Sequence, residues 1–340
     1  MIWFDLDNSP HVPLFRPVFK NLENKSEEFI ITARDFAQTQ DLMKLWNINY
    51  LPVGKHGGKN KLMKILNLFQ RSYQLKKAVN KHKINLAVNH GSRTQIFSSK
   101  YMSIPSVWMM DYEYTETNIL NTFASYILAP KHIPTKRLKD SGISVNKLIR
   151  YNGFKEELYL NDFRPDPNIR KELNIDESSI LVVFRPPSIT ANYHNAQSEK
   201  LLLESLKYFS SHKNTICLIV NRTEKEKQFL EKNIELGDKI RFLQKPVDGL
   251  QLLYAADIAF SGGGTMNREA ALLGTKSYSI FTGKRPYLDE YLQDQGKLNF
   301  IESMGDLEKI EVIRKENEIK NFSNNIAEEV TDLLIDLAKK

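Results

Sequence analysis

Cysteine is nearly missing from this chain. The single thiol, Cys217, lies in the apolar run Thr215-Ile216-Cys217-Leu218-Ile219-Val220. One cysteine forms no internal disulfide and builds no zinc cage, so a buried strand position is expected for it. Long apolar runs are missing too. None approaches the roughly 18 residues needed to span a bilayer, and no basic segment leads into an apolar stretch at the N-terminus. These absences predict a cytoplasmic setting. There is no low-complexity tract and no short-period repeat.

What is present is a globular composition. The 340 residues are 41% hydrophobic and 26% charged, enough for two ordinary domains with a core each. The net charge of +7 is unevenly spread: residues 1–150 hold 22 Lys+Arg against 11 Asp+Glu, the remainder 26 against 30. The N-terminal half is therefore the basic one and suits an anionic partner, unless its charge is only a solvated surface. No basic–aromatic motif points to nucleic acid.

Short apolar runs alternate with longer helical stretches. Strands are expected at Met1–Asp7, Phe29–Ala33, Leu86–Asn89, Ser106–Met110 and Tyr126–Ala129. After a polar, proline-bearing break near Asn161–Pro167 the rhythm restarts, at Ile180–Phe184, Ile216–Val220, Ile240–Leu243, Ile258–Ser261 and Ser277–Phe281. This predicts an α/β protein of two doubly wound, mainly parallel domains, 1–160 and 161–320, followed by a C-terminal helix, 321–340. Ligands of such sheets bind beyond the C-terminal strand ends, so a cleft between the domains is the expected site.

Ser261-Gly262-Gly263-Gly264-Thr265 follows an apolar strand and opens a helix. Glycines allow close backbone approach, and the amides of the helix's first turn suit a phosphate. Thr265 is placed to cap the helix or to touch the phosphate, and Glu269, about one turn in, to accept hydrogen bonds from ribose hydroxyls. Gly-Gly-x-x-x-x-Glu-Ala-x-x-x-Gly resembles the donor-nucleotide motif of GT-B glycosyltransferases and of non-hydrolysing UDP-GlcNAc 2-epimerases. Over nearly its full length the chain also resembles the domain-of-unknown-function family 354. That likeness runs through Asp5-Leu-Asp-Asn-Ser-Pro-His-Val, Asn89-His-Gly-Ser, Arg185-Pro-Pro, Gly262-Gly-Gly-Thr-Met and Tyr287-Leu-Asp-Glu-Tyr-Leu. The resemblance implies a GT-B architecture, diphosphate on the glycine turn and ribose on Glu269.

The turn after the first strand, Asn8-Ser9-Pro10-His11-Val12-Pro13, resembles the Gly-His-x-x-Pro turn of GT-B transferases, with Ser9-Pro10 in place of the glycines. The resemblance makes His11 a base toward an acceptor hydroxyl, a role suited to imidazole. Asn89-His90-Gly91-Ser92 resembles the His-Gly-Asp-Thr turn of the 2-epimerases, with Ser92 where those enzymes carry a catalytic aspartate. Asp111 and Glu113 follow an apolar strand and are placed to bind sugar hydroxyls or take a proton. Arg185, at the end of another strand, suits a diphosphate clamp, with Tyr193, His194 and Lys284 as further candidate contacts. Asp5-x-Asp7 lies on a strand of a parallel sheet, where no metal is expected; no cofactor is expected either.

Lys55-His56-Gly57-Gly58-Lys59-Asn60-Lys61 precedes a helix on which Leu62, Ile65, Leu66, Phe69 and Tyr73 form an apolar stripe. Either the stripe faces the protein's own core, or it rests on an anionic membrane, as in the lipid-linked GlcNAc transferase of peptidoglycan synthesis. The sequence thus predicts a metal-independent glycosyltransferase using a nucleotide-diphosphate sugar, UDP-sugar first, and a glycan or lipid-linked acceptor. The alternative is an epimerase acting on the donor alone.

Overall fold

The computed structural model describes the chain except residues 37, 56–60, 116–117, 188–195, 246 and 317–323, and the side chains of 61–65 and 196. The chain divides into two units, Met1–Asp162 with Phe322–Lys340, and Phe163–Asn321.

Among the described residues, the first unit holds seven strands: β1 (Ile2–Leu6), β2 (Phe29–Asp35), β3 (Leu51–Lys55), β4 (Leu86–Asn89), β5 (Ser106–Met109), β6 (Tyr126–Pro130) and β7 (Leu148–Tyr151). They form one parallel sheet in the order β3-β2-β1-β4-β5-β6-β7. Strand β1 is buried throughout, and its alternating side chains serve two layers. Ile2, Phe4 and Leu6 join Leu14, Phe15, Val18 and Phe19 of the helix His11–Asn24 in one core. Trp3 points to the other face, with Leu75 and Val79 of the helix Lys61–Val79. The last helix, Ile326–Ala338, returns to this unit and buries Val330, Leu334 and Ile335 in the first core.

The second unit repeats the design with β8 (Ile180–Arg185), β9 (Thr215–Ile219), β10 (Ile240–Phe242), β11 (Ile258–Ser261), β12 (Lys276–Ser279) and β13 (Leu298–Phe300). Their order is β10-β9-β8-β11-β12-β13, again parallel. Cys217 is buried in β9, and burial pushes its thiol up to about 12. In each sheet the strand order reverses at the first strand, between β1 and β4 and between β8 and β11. Ligands of doubly wound sheets gather at such reversals, beyond the carboxyl ends of the strands.

The apolar stripe on the helix Lys61–Val79 does not serve the core. Its described members, Leu66, Phe69 and Tyr73, are 61%, 59% and 68% exposed; Leu62 and Ile65 lie among the undescribed side chains. Arg71, Leu75 and Val79 supply the inward face instead. Among the described residues, no helix is long and apolar enough to cross a membrane.

Candidate functional site

At the first reversal, the chain leaves β1 through Asp7-Asn8-Ser9-Pro10 and enters a helix at His11. Asn8 and Ser9 shape this turn: the Asn8 side chain accepts the Ser9 amide (3.0 Å), and the Ser9 hydroxyl accepts the Gln38 amide (2.9 Å). His11 is buried, with Nδ1 3.2 Å from an Asp7 carboxylate oxygen and its ring 5.2 Å from that of His90. His90, just beyond β4, brings Nε2 within 3.1 Å of Asp111, whose second oxygen lies 2.7 Å from Nζ of Lys155. Four segments far apart in sequence thus meet as Asp7, His11, His90, Asp111 and Lys155. Glu113 is buried but turns elsewhere, 3.1 Å from Nε of Arg137.

The electrostatics of this cluster suit proton transfer. Burial, then the neighbouring His90 and Lys155, hold His11 well below the usual imidazole range, against an opposing pull from Asp111. His11 is therefore neutral at pH 7, its imidazole a free but weakened base. Burial, reinforced by the nearby Asp5 carboxylate, raises Asp7 to about 6. A neutral imidazole beside a carboxyl titrating near neutrality is an acid–base arrangement.

A buried ion pair underlies it. Asp5 has no exposed surface and accepts two 2.8 Å hydrogen bonds from the Arg71 guanidinium. The parallel register sets Thr32 opposite Asp5, and its hydroxyl donates to the same carboxylate at 2.7 Å. The Ser92 hydroxyl also donates to Asp5, and accepts the Gln95 amide as cap of the helix Arg93–Tyr101. Ser92 is fully buried, so its role in this structure is to cap that helix and hold Asp5. Thr94 completes the ring on Arg71.

At the second reversal, the register places Arg185 at the end of β8 beside Ser261 at the end of β11. The Gly262 amide then donates to the Arg185 carbonyl (3.0 Å). Three glycines follow for different reasons. A Cβ at Gly262 would lie 2.4 Å from Cα of Pro187, and one at Gly263 2.8 Å from the Phe281 ring. Gly264 faces open space, but its φ of 93° and ψ of −159° belong to a region essentially reserved for glycine. The Ser261 hydroxyl is spent inside the turn, accepting the Gly263 amide at 3.2 Å. Because Gly264 is the N-cap, the helix Thr265–Leu273 has no side-chain cap, and its leading amides suit an anion. Thr265 and Glu269 are half-buried one turn apart on it. A buried ion pair, Arg268 with Asp289 at 3.0 Å, anchors this helix.

Arg185 is half-buried and donates to the Val220 carbonyl (3.1 Å). Burial, then the nearby Arg222, lowers it to about 10, against Glu226 and Glu269. It remains cationic at neutral pH. Arg222 is a residue the sequence reading missed: it follows β9 as Arg185 ends β8, so position after a strand was the available signal. Asp7 and Lys155 were missed as well. Lys284 is exposed beyond β12; Tyr193 and His194 lie outside the described residues.

Among solved structures, the fold is similar to two UDP-GlcNAc 2-epimerases. That of Rickettsia bellii has a TM-score of 0.75 at 16% identity, covering 99% of this chain and 95% of that one. That of Methanocaldococcus jannaschii, solved with UDP-GlcNAc and UDP, has a TM-score of 0.75 at 15% identity, covering 98% and 99%. The fold is accordingly of the GT-B type, two Rossmann-like units. In sequence, an uncharacterized protein of Methanocaldococcus jannaschii is 27% identical over 308 residues, 87% of this chain and 86% of its own length. The model of one family, described as a protein of unknown function (DUF354), matches residues 1–339, and the chain belongs to that family.

Proposed function

We propose that this chain is a sugar-nucleotide enzyme, and that its reaction is glycosyl transfer. The observation that carries the reading is the Arg185–Ser261 register, which sets a half-buried guanidinium beside a helix start with no side-chain cap. In this reading the diphosphate of a UDP-sugar lies on Gly262, Gly263, Gly264 and Thr265, with Arg185 and Arg222 as its cations and Glu269 on the ribose. His11 takes the proton of an acceptor hydroxyl. The hydroxyl oxygen bonds to the anomeric carbon as the carbon–oxygen bond to the diphosphate breaks, and the bonding electrons leave with the diphosphate. The helix amides and guanidiniums stabilise that departing charge without calling for a metal. Asp111, held by Lys155 and His90, binds or orients sugar hydroxyls.

A second reading, epimerisation of the donor alone, is favoured by the near-complete fold likeness to the two solved 2-epimerases. Against it stands Ser92, which offers no carboxylate at the turn after β4. A sugar-nucleotide panel followed by NMR separates the two. Release of nucleotide diphosphate only with added acceptor supports transfer, whereas a new sugar-nucleotide epimer supports epimerisation. The exposed Leu66, Phe69 and Tyr73, on a lysine-rich helix, support a lipid-linked acceptor met at an anionic membrane surface.

A further inference from the structure

The longest carboxylate-free part of the sequence carries more positive charge than the scheme above uses. Between Asp41 and Asp111 there are 12 Lys+Arg and not one Asp or Glu. This stretch folds as β3, the helix Lys61–Val79, β4, the helix Arg93–Tyr101 and β5. A stretch so basic and without a carboxylate favours anionic ligands near it.

The same stretch forms most of a groove of about 980 Å³ in the first unit, between the edge strand β3 and the helix Lys61–Val79. Its floor is rigid. The Arg71 side chain passes so close to Gly54 that a Cβ there would meet its Cδ at 2.9 Å. Arg71 then donates to the Val53 carbonyl (3.0 Å) and ends on the buried Asp5. The helix lines the groove with Asn67, Gln70, Gln74 and Lys77, and β3 lines it with Lys55. On a helix, residues three and four apart stand about 5–6 Å from one another on one face. Each amide offers both a donor and an acceptor, so the row complements successive hydroxyls of a sugar chain. No aromatic residue is among the described lining, which disfavours stacked bases and apolar ligands. Asp35 is the one carboxylate among that lining, against the two lysines.

We propose that this groove binds an anionic oligosaccharide, with Gln70 and Gln74 reading hydroxyls and Lys55 and Lys77 reading the acid groups. The proposal deepens the transferase reading, whose acceptor it would specify. Its test needs no turnover, so it can fail while nucleotide binding stands.

The experiment is calorimetric titration of the full chain with a galacturonate hexamer and with the neutral maltohexaose. The acidic hexamer should bind at least tenfold more tightly than the neutral one. Gln70→Ala/Gln74→Ala, both on an exposed helix face where alanine favours the helix, should weaken it at least fivefold. Lys55→Ala/Lys77→Ala should weaken it and flatten its salt dependence. UDP titration of the same variants should be unchanged, which separates loss of the groove from loss of the fold. No binding of the acidic hexamer to the wild type, equal affinity for the two hexamers, or wild-type affinity in the glutamine variant would each overturn the proposal.

Discussion

Replacing Asp7 by asparagine should make the first unit more stable, and most of all at high pH. In the folded chain this carboxyl titrates at about 6 rather than its usual 3.8, because burial and then Asp5 disfavour its charge. At about 1.4 kcal/mol per pKa unit, ionised Asp7 costs the fold ~3 kcal/mol. Its side chain is one-fifth exposed, so solvent trims this toward ~2 kcal/mol. An acid whose folded pKa lies above its unfolded one is disfavoured when charged. The cost is therefore fully present above about pH 6 and fades as the pH falls toward 3.8. Asparagine, neutral throughout, removes it. All three tryptophans, Trp3, Trp46 and Trp108, lie in the first unit, so urea unfolding followed by tryptophan fluorescence reports that unit. Asp7→Asn should exceed wild type by ~2–3 kcal/mol at pH 8 and by no more than ~1 kcal/mol at pH 4.5. An equal gap at both pH values, or a less stable variant at pH 8, would refute the electrostatic reasoning.

Three other outcomes follow from the same geometry. Gly264→Ala has room for its methyl but not for its backbone angles; it should cost the second unit about 1–3 kcal/mol and weaken UDP binding by calorimetry. Intact stability and affinity would show that the turn relaxes freely. His11→Ala should lose roughly 100-fold or more in turnover, the usual worth of a general base, while keeping UDP affinity, and wild-type turnover would move the role to Asp111 or Asp7. Phe69→Ser/Tyr73→Ser should release the protein from anionic vesicles in co-sedimentation, and a wild type that binds no vesicle would rule out membrane placement of that stripe.

The interior strands were legible because each is an apolar run flanked on both sides. The expected stretches at Met1–Asp7, Leu86–Asn89 and Ile258–Ser261 correspond to β1, β4 and β11. The sequence reading passed over β3, β7 and β13, all at sheet edges. Edge strands have one neighbour and carry residues such as Pro52, Gly54, Arg150 and Asn299, which break the apolar signal. Periodicity located the stripe on Lys61–Val79 but not its direction: the inward face there rests on Arg71 bound to Asp5, a contact spanning 66 residues. Likewise the glycine turn, Arg185, His11, His90 and Asp111 stood out because each follows a strand. Arg222 carried the same signal, standing just past β9, whereas Lys155 depends on which segments meet in space, and local sequence carries no record of that.

The central claim is that the second unit holds a nucleotide diphosphate at the glycine turn beside Arg185. Amide NMR of the full chain during titration with UDP tests it directly. The account predicts that the Gly262, Gly263, Gly264 and Thr265 amides shift saturably, and that Arg185→Gln weakens the titration at least tenfold with those resonances otherwise in place. Amides that stay unmoved at millimolar UDP, or an Arg185→Gln titration indistinguishable from wild type, would contradict it.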